Sequence, residues 1–345
     1  MHSYDKMFLW KFTYTTAWVF KTLNNDETQY KNEVLKGDIM VKNRDLLAIG
    51  HSAHDYIIRV PVFPKANFSA PITTMKTFNG GAAANVACVG AKLGLKTSLV
   101  SAVGGDFKKS EYYEHMQNLG IDTDSLIIVP GEATPTAFVL TDDNEDQISY
   151  FYWGAAREFE GSKVPTSAIK NAEAIHLATG DPNFNWKCSE EAKNEDLLIS
   201  FDPGQDLGMY DTKKLKEVIE NTTILFGNHH EIERILDSLN VDLTQLREIG
   251  PKIIVKTCGA NGSEIYSNED KIKIDAVTRQ AVDPTGAGDS YRAGFLSRFL
   301  NGESLEESAK FASSVSSFIV ENQGCQTNMP TFDEAFERMN GFYWF

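Results

Sequence analysis

From Leu46 onward, the chain alternates between short apolar runs and stretches with helical periodicity. The runs are nearly continuous in apolar residues, as expected for strands of a parallel sheet that is covered on both faces. They predict strands at Leu46 to Gly50, Thr97 to Val103, Ala174 to Ala178, Leu197 to Phe201, Thr223 to Phe226 and Ile253 to Thr257. Helices are predicted between them at Ala82 to Leu93, Phe107 to Leu119, Asp211 to Glu220 and His229 to Leu239. This order indicates an α/β fold with a doubly wound, mainly parallel central sheet and helices on both faces.

A second group of predicted strands has no helices between its members. The group consists of Tyr56 to Val62, Thr136 to Leu140 and Gln147 to Trp153, with a turn at the DDNED run before the last strand. In that last strand Tyr150 and Tyr152 alternate with Phe151 and Trp153. One face of the strand is therefore expected to contact a substrate or a second subunit. Simple packing of a sheet face is an equal alternative.

The composition is typical of a soluble metabolic enzyme. With 345 residues, 42% of them hydrophobic and 23% charged, the chain can bury the core of one large α/β domain. The formal net charge of -15 argues against a nucleic-acid partner, which would need a basic face. The four cysteines, Cys88, Cys188, Cys258 and Cys325, lack the spacing of a metal site or a disulfide framework, so a cytoplasmic location is expected.

Residues 1 to 44 differ from the rest of the chain. The apolar segment Met7 to Phe20 is shorter than the roughly 20 residues that cross a membrane, and it contains Lys11, so no membrane partner is expected. It also lacks a basic leader and a small-residue cleavage site. We interpret residues 1 to 44 as a non-catalytic extension, with Met40 as a candidate true start. An added strand or a partner-binding hairpin is the alternative.

The run DPTGAGDSYRAGF, from Asp283 to Phe295, contains the most specific chemistry. Gly286, Ala287 and Gly288 have little or no side chain, so the amides around them can close on an anion ahead of a helix predicted from Ser290 to Leu300. Asp289 at the mouth of this anion site would repel a phosphate that is only bound. As a base, it would take a proton from an attacking hydroxyl while the amides hold the transferred charge. On these residues alone, a glycine-rich turn before an acidic first helical turn is equally open.

A second motif, FNGGAAANVACVGAKLG, extends from Phe78 to Gly94. In this order, the two motifs resemble the N-terminal and C-terminal signatures of the ribokinase-like (PfkB) family of sugar and nucleoside kinases. Within that family the chain is most similar to archaeal nucleoside kinases, through GHSAHDYI, WGAA, ATGDP, SFDPGQDL and GCQTN. The resemblance implies a kinase domain over residues 45 to 340. It also implies a small β-sheet lid over the substrate, with strands near 56 to 75 and 134 to 153, through which two copies would form a homodimer.

The same resemblance implies an activity. It predicts an ATP- and Mg²⁺-dependent kinase that transfers the γ-phosphoryl group to the 5′-hydroxyl of a ribonucleoside, with Asp289 as general base and Gly286, Ala287 and Gly288 as anion hole. A sugar or sugar-phosphate kinase of the ribokinase, fructokinase or phosphofructokinase type is the alternative with the same fold. A non-catalytic nucleoside-binding protein is the alternative from another class.

The N-terminal motif supplies the expected substrate site. Gly80 and Gly81 allow an unusual backbone turn, and Asn85 offers both a donor and an acceptor, which matches the family's sugar-binding Asn. Asp55 matches the family's Asp that accepts from two ribose hydroxyls, a pairing that suits the two oxygens of a carboxylate. A strand-end turn residue is the alternative for Asp55. The segment Ala82 to Ala84 lacks the Lys that ribokinases carry there, which favours a nucleoside over a free sugar.

The resemblance also predicts ATP-binding residues. They are Asn228, Thr257, Gly259, Gly262, Ala312 and Ser316. Glu231 of the NHHE run matches the family's NxxE pattern, in which the Glu positions Mg²⁺ through water, although helix starts often carry Asn and Glu as well. The adjacent His229 and His230 are expected to point apart on a solvated face rather than to bind a metal.

Two predictions about this end of the site depend on the resemblance alone. Asp283 and Thr285 match positions where some family members hold a monovalent cation, so K⁺ is a candidate cofactor. Ala312 and Ser316 lie where the family packs the adenine ring. Both are also ordinary helix-packing residues.

Overall fold

The computed structural model describes residues 42–267 and 271–344. Residues 1–41 lie outside this range, so the extension predicted over residues 1 to 44 is described only at its last three positions. The described residues fall within one compact unit, which starts at Lys42. None of the helices in the described ranges is long and apolar enough to cross a bilayer.

The strands, in chain order, are β1 Arg44–Ile49, β2 Ala53–Arg59, β3 Thr74–Gly80, β4 Thr97–Val100, β5 Ala102–Gly104, β6 Ile127–Val129, β7 Thr136–Thr141, β8 Gln147–Tyr152, β9 Ala172–Leu177, β10 Leu198–Phe201, β11 Ile224–Asn228, β12 Ile253–Thr257, β13 Ser263–Tyr266 and β14 Lys271–Ile274. The α-helices are α1 Ala82–Lys92, α2 Glu111–Asn118, α3 Thr166–Lys170, α4 Pro182–Asn194, α5 Thr212–Asn221, α6 His229–Leu239, α7 Leu243–Ile249, α8 Ala287–Phe299, α9 Leu305–Ile319 and α10 Phe332–Tyr343.

The central sheet has the strand order β14-β13-β12-β11-β10-β9-β1-β4. Neighbouring strands from β4 through β12 are parallel, and the hairpin β13–β14 joins antiparallel at one edge. Alternate residues of β1 enter different core clusters: Leu47 and Ile49 pack with Phe184 of α4, and Leu46 packs with Phe295 of α8. The sheet is therefore covered by helices on both faces, which confirms the predicted fold class.

One predicted strand is shorter than expected. The run from Thr97 to Val103 is interrupted at Ser101, and its second half pairs with β6 in a separate small sheet instead of extending the central one. The side chain of Ser101 accepts a hydrogen bond of 2.8 Å from the backbone N–H of Ser52. This interruption holds the chain that follows β1 close to the end of β4.

The lid is a separate sheet with the order β3-β2-β7-β8. Strand β2 pairs with β7 in parallel, and the two outer pairs are antiparallel. Three of these strands match predicted segments, whereas β3, with the sequence TMKTFNG, lacks an apolar run and is exposed over most of its length. Because β3 ends at Gly80, it leads directly into α1.

Candidate active site

Two cavities adjoin the first turn of α8. The lid cavity, of about 470 Å³, is lined by lid residues together with Thr285, Gly286 and Asp289. The hairpin cavity, of about 510 Å³, is lined by residues near the β12–β13 turn together with Ala287 and Gly288. Arg292, one turn further along α8, lines both cavities. The start of α8 therefore lies between two sites, each large enough for a small molecule.

The turn before α8 requires glycine. Gly286 is the N-cap and has φ 79, in the left-handed region that favours glycine. A Cβ atom at this position would lie 2.3 Å from Sγ of Cys325. The helix begins at Ala287, so the predicted start at Ser290 is wrong by three residues and Asp289 lies inside the first turn.

The amides of this first turn face different partners. The N–H of Ala287 donates to the carbonyl of Pro284 at 3.1 Å. The N–H groups of Gly288 and Asp289 belong to the group at a helix start for which the helix itself provides no acceptor. These two amides are therefore the ones that remain for an anion, supported by the dipole of α8.

Asp289 is held by two side chains. Its Oδ1 accepts a hydrogen bond of 2.7 Å from Nη1 of Arg292, and its Oδ2 accepts one of 2.8 Å from Nδ2 of Asn85. Burial raises the pKa of Asp289, and the charge of Arg292 and the bond from Asn85 oppose that rise. The two donors stabilise the carboxylate and fix its plane, and each oxygen retains a lone pair for another donor.

The orientation of Asn85 is set by a residue that the motif analysis did not assign to the site. Nε2 of Gln326 donates to Oδ1 of Asn85 at 2.8 Å and to the hydroxyl of Tyr112 at 2.7 Å. The Tyr112 hydroxyl in turn donates to the carbonyl of Gly80 at 2.7 Å. Because Oδ1 of Asn85 is fixed as an acceptor, its NH₂ group must face Asp289.

Asp55 lies on β2 and lines the lid cavity. A Cβ atom at Gly80 would lie 2.0 Å from Oδ2 of Asp55, so the glycine provides the space that this carboxylate occupies. Gly81 has φ 90, and a Cβ there would meet the carbonyl of His51 at 2.5 Å. Burial, followed by the charges of Asp289 and Asp283, raises the pKa of Asp55 to about 7. No group in the described ranges donates a hydrogen bond to this carboxylate, which leaves it free for a ligand.

The register of the lid assigns its two faces. Asp55 pairs with Ala137, and Ala137 pairs with Phe151, so these three side chains share the face that lines the cavity. The ring of Trp153 packs against His51, another cavity residue, with 5.1 Å between ring centroids. By register the opposite face carries Tyr56, Phe138 and Tyr150, and Tyr150 also borders the lid cavity.

Most of the residues predicted to bind ATP meet in the hairpin cavity. Its lining includes Asn228, Thr257, Gly259, Gly262 and Ser316. Ala312 does not line the cavity: it is fully buried on α9, and its Cα would lie 2.9 Å from a Cβ at Gly294 of α8. Its position is that of a helix-packing residue.

The NHHE run begins α6. Oδ1 of Asn228 accepts from the N–H of Glu231 at 2.9 Å, and Oε2 of Glu231 accepts from the N–H of Asn228 at 2.7 Å, which forms a capping box. Glu231 also lines the lid cavity, and Asn228 the hairpin cavity. His229 and His230 are exposed as expected, but they do not point apart: their ring centroids are 3.8 Å from each other.

Asp283 shapes the turn that leads into α8. Its Oδ1 accepts from the N–H of Thr285 at 2.9 Å, and its Oδ2 accepts from the N–H of Gly324 at 3.1 Å. Thr285 is exposed and lines the lid cavity. In the part of the chain that the structure describes, no group of three or more His, Cys, Asp or Glu side chains is arranged to hold a metal ion.

The sequence pattern of the pfkB family of carbohydrate kinases matches residues 43–332. The chain belongs to this family. Among pfkB-family relatives, it is 58% identical over 299 residues to a nucleoside kinase of Methanothermobacter thermautotrophicus, which covers 87% of this chain and 96% of the other. It is 44% identical over 299 residues to a nucleoside kinase of Methanocaldococcus jannaschii, with 86% and 97% of the two chains covered.

A solved structure supports the same assignment. The crystal structure of the Methanocaldococcus jannaschii nucleoside kinase, described as an archaeal member of the ribokinase family, superposes with a TM-score of 0.84 at 43% identity. The match covers 87% of this chain and 99% of that one. The fold is therefore shared over most of this chain and nearly all of the other.

Sequence reasoning missed several polar residues of this pfkB site. Arg292 lies inside the C-terminal motif, but its charge alone does not distinguish it from a solvated helix residue. Asp202 directly follows β10, and the carboxyl ends of parallel strands are where ligands of such sheets bind. That positional rule would have identified Asp202 as a candidate. Gln326 offered no comparable signal, because its role depends on contacts with Asn85 and Tyr112 that are remote in sequence.

Proposed function

We propose that this chain is an ATP-dependent nucleoside kinase that transfers the γ-phosphoryl group to the 5′-hydroxyl of a ribonucleoside. The observation that carries the proposal is the position of Asp289, beside free amides and between two cavities. A base between an acceptor site and a donor site is the arrangement that phosphoryl transfer to an alcohol needs. The two nucleoside kinases at 58% and 44% identity support the nucleoside as acceptor.

The charges of the lid cavity favour an unphosphorylated acceptor. Among its described lining residues, Arg292 is the sole Lys or Arg, and that side chain is already bonded to Asp289 and Asp202. A sugar phosphate would need a cation for its phosphate group. The apolar side chains of Ala137, Val139 and Phe151 instead provide a surface for a nucleobase.

Asp289 acts as the general base. A ribose hydroxyl is a very weak acid, so its proton must leave as the phosphoryl group arrives. The free carboxylate lone pairs of Asp289 accept that proton, while the amides of Gly288 and Asp289 stabilise charge on the transferred group. The dipole of α8 acts in the same direction.

Asp55 and Asn85 orient the ribose. The carboxylate of Asp55, to which no group in the described part of the chain donates, accepts from the vicinal 2′- and 3′-hydroxyls. Asn85 has one N–H and one acceptor lone pair left after its bonds to Asp289 and Gln326. Asn85 therefore binds the sugar and also connects it to Asp289, the proposed general base.

The hairpin cavity holds ATP. Gly259 and Gly262, with φ 56 and 82, give the turn after β12 a backbone shape that favours glycine, and both line the cavity together with Ser316. Mg²⁺ commonly keeps several waters and binds through one or two carboxylates together with substrate phosphates. Glu231 fits that donor set, because the capping box uses only its Oε2. Bound there, Mg²⁺ would neutralise phosphate charge.

Asp283 and Thr285 are the candidate neighbours of a K⁺ ion. They support this role by shaping the turn that leads to Gly286. Backbone carbonyls would complete such a site, and turnover in Na⁺ compared with K⁺ tests it.

The outer face of the lid supports a homodimer. Ile148 is 40% exposed and Tyr150 is 63% exposed, beside the stacked rings of Tyr56 and Phe138. A contiguous apolar face of this kind is typical of a protein interface. A second copy of the chain would cover it.

The test is a substrate panel with purified protein, ATP and Mg²⁺, in which ADP release is measured and the product is identified by phosphorus NMR. We expect ribonucleosides to give nucleoside 5′-monophosphates. Faster turnover of ribose or fructose 6-phosphate would identify a sugar kinase instead. Tight nucleoside binding without ADP release would identify a non-catalytic binding protein.

A further inference from the structure

Arg292 has a position that none of the assigned roles uses. It lies one helical turn after Asp289, and its guanidinium contacts two carboxylates, Asp289 and Asp202, which are not bonded to each other. Its side chain is 13% exposed. A Cβ at Gly288 would lie 2.9 Å from Nη1 of Arg292, so this glycine leaves the space in which the guanidinium packs over the anion-binding turn.

Asp202 anchors Arg292 from the central sheet. It directly follows β10, its side chain is 2% exposed, and its Oδ1 accepts the N–H of Gly204 at 2.8 Å. Its Oδ2 accepts from Nε of Arg292 and forms an ion pair with Nη2. Because these donors share the rigid guanidinium plane, Asp202 fixes the direction in which Nη1 points.

The surroundings of this bridge are predominantly negative. Besides Asp202, charged or titratable groups that act on Asp289 or Arg292 are Asp55 of β2, Glu231 of α6, His176 of β9 and Cys325 after α9, and Asp283 of the preceding turn acts in turn on Asp55 and Cys325. Burial lowers the pKa of His176 to about 3, so this imidazole is neutral at physiological pH. Arg292 is therefore a cation that offsets the negative charge of several carboxylates around Asp289.

We propose that Arg292, anchored by Asp202, is a positioning residue that keeps Asp289 ionised and aims its free lone pair at the acceptor hydroxyl. This inference rests on the proposed role of Asp289 as base. Asp202 has the opposite effect on the ionised form of Asp289. By competing for the same guanidinium, Asp202 limits how strongly Arg292 stabilises the Asp289 carboxylate, and so preserves some basicity.

Replacing Arg292 and replacing Asp202 should shift the pH dependence of turnover in opposite directions, which provides the test. We measure kcat against pH, with nucleoside, ATP and Mg²⁺ saturating at every pH and for every variant, so that the titration of Asp55 during nucleoside binding does not contribute to the limb. Arg292→Gln should move the acidic limb upward by about one pH unit or more, since a cation within bonding distance is lost. Asp202→Asn should move the same limb downward, because Arg292 then serves Asp289 alone.

Two further variants test whether the shift comes from misfolding and whether it depends on the charge of Arg292 or on its planar guanidinium group. Arg292→Gln leaves Asp202 buried without a cation, so the double variant Asp202→Asn/Arg292→Gln, which removes both charges, should also move the limb upward and remain folded. Arg292→Lys keeps the charge but loses the planar fork. It should leave the limb in place while kcat falls about tenfold or more and the KM for ATP stays within a few-fold.

Arg298→Lys is the matched control. Arg298 lies on the same helix, is 14% exposed and pairs with Glu303 at 3.0 Å, and it lines neither cavity. It should leave both the limb and kcat unchanged.

The proposal is overturned if Arg292→Gln and Asp202→Asn move the limb in the same direction, or if neither moves it. It is also overturned if Arg292→Gln raises only the KM for ATP, which would mean direct contact with phosphate. Asp289→Asn separates the two levels of the argument. If Asp289→Asn is inactive and the Arg292 and Asp202 variants leave the limb unmoved, only this inference fails. If Asp289→Asn turns over normally, the assignment of Asp289 as general base fails as well.

Discussion

The side chain of Asn85 donates a hydrogen bond of 2.8 Å to Asp289, a residue 204 positions later in the sequence. This bond joins the two glycine-rich motifs of the chain. The start of α1 and the start of α8 meet there, so the residue proposed to bind ribose also holds the residue proposed as base. Under these roles, the single bond from Asn85 to Asp289 aligns the hydroxyl that receives the phosphoryl group with the carboxylate that takes its proton.

Replacing the proposed base is the first prediction. Asp289→Asn retains size and hydrogen bonding but removes the proton acceptor. We expect kcat to fall by about 10² to 10⁴, while ATP and nucleoside bind within a few-fold of wild type. Single-turnover kinetics and binding titrations measure the two quantities. Asp333→Asn, in the exposed first turn of α10, is the control and should have no effect. Near-normal kcat in Asp289→Asn would reduce the motif to an anion-binding turn.

The second prediction concerns the sugar. Because neither oxygen of Asp55 accepts a hydrogen bond from residues 42–267 or 271–344, it can accept from both the 2′- and 3′-hydroxyls. Losing a hydrogen bond to a charged acceptor costs roughly 1.5 to 3 kcal/mol. Ribonucleosides should exceed their 2′-deoxy analogues by about tenfold to a hundredfold in kcat/KM. The preference should disappear in Asp55→Ala, and equal use of both sugars by the wild type would contradict the role of Asp55.

The third prediction is a pH dependence of nucleoside binding. The pKa of Asp55 is raised to about 7 in the free protein, and hydroxyl donors stabilise the ionised form, so binding lowers that pKa and releases a proton. Affinity should therefore increase as pH rises through 7 and level off above it, with binding about tenfold weaker at about pH 6 than at about pH 8. Calorimetric titration without ATP, using a nucleoside that does not itself titrate in this range, measures the effect. Asp55→Asn should give a flat profile, and a flat profile for the wild type would refute the prediction.

The fourth prediction concerns the extension. Strand β1 begins at Arg44, and the proposed site residues begin at Asp55. A shortened chain that starts at Met40 should therefore retain its fold and turnover. Circular dichroism and the ADP assay check this. An insoluble or inactive product, alongside an active full chain, would show that residues before Met40 are required.

The fifth prediction concerns assembly. Ile148→Glu places a charge on the outer face of the lid, next to Leu140 in register, at a residue that does not itself line the lid cavity. We expect sedimentation to show a loss of dimer. Met209→Glu, at a residue that is 45% exposed outside the lid, is the matched control and should leave the dimer intact. If the wild-type protein is a monomer at assay concentrations, the proposed homodimer is wrong.

The fold was predictable where local sequence carried the information. Leu46, Leu47, Ala48 and Ile49 are all fully buried, so an unbroken apolar run was sufficient to identify a central strand. Strand β3 was missed because its side chains are mostly exposed and carry no apolar pattern. Its existence depends on pairing with β2, which is a tertiary property.

The site was predictable to the extent that backbone geometry dictates residue type. Gly80, Gly81 and Gly286 each occupy positions where a Cβ would collide with neighbouring atoms, so short-range motifs reveal them. The bond from Arg292 to Asp202 spans 90 positions, and although Asp202 is a candidate from its place after β10, Arg292 alone is compatible with an ordinary helix surface. Local sequence contains no signal for such a pair.

Asp55 belongs to the lid rather than to the central sheet. The strand proposed to bind the ribose is therefore also a wall of the lid cavity. Water, the competing acceptor, has no vicinal hydroxyls with which to engage Asp55, so under the proposed role it gains none of the binding free energy that a nucleoside gains from this wall. The same strand would thus help to select the acceptor and to shield the reacting groups from solvent.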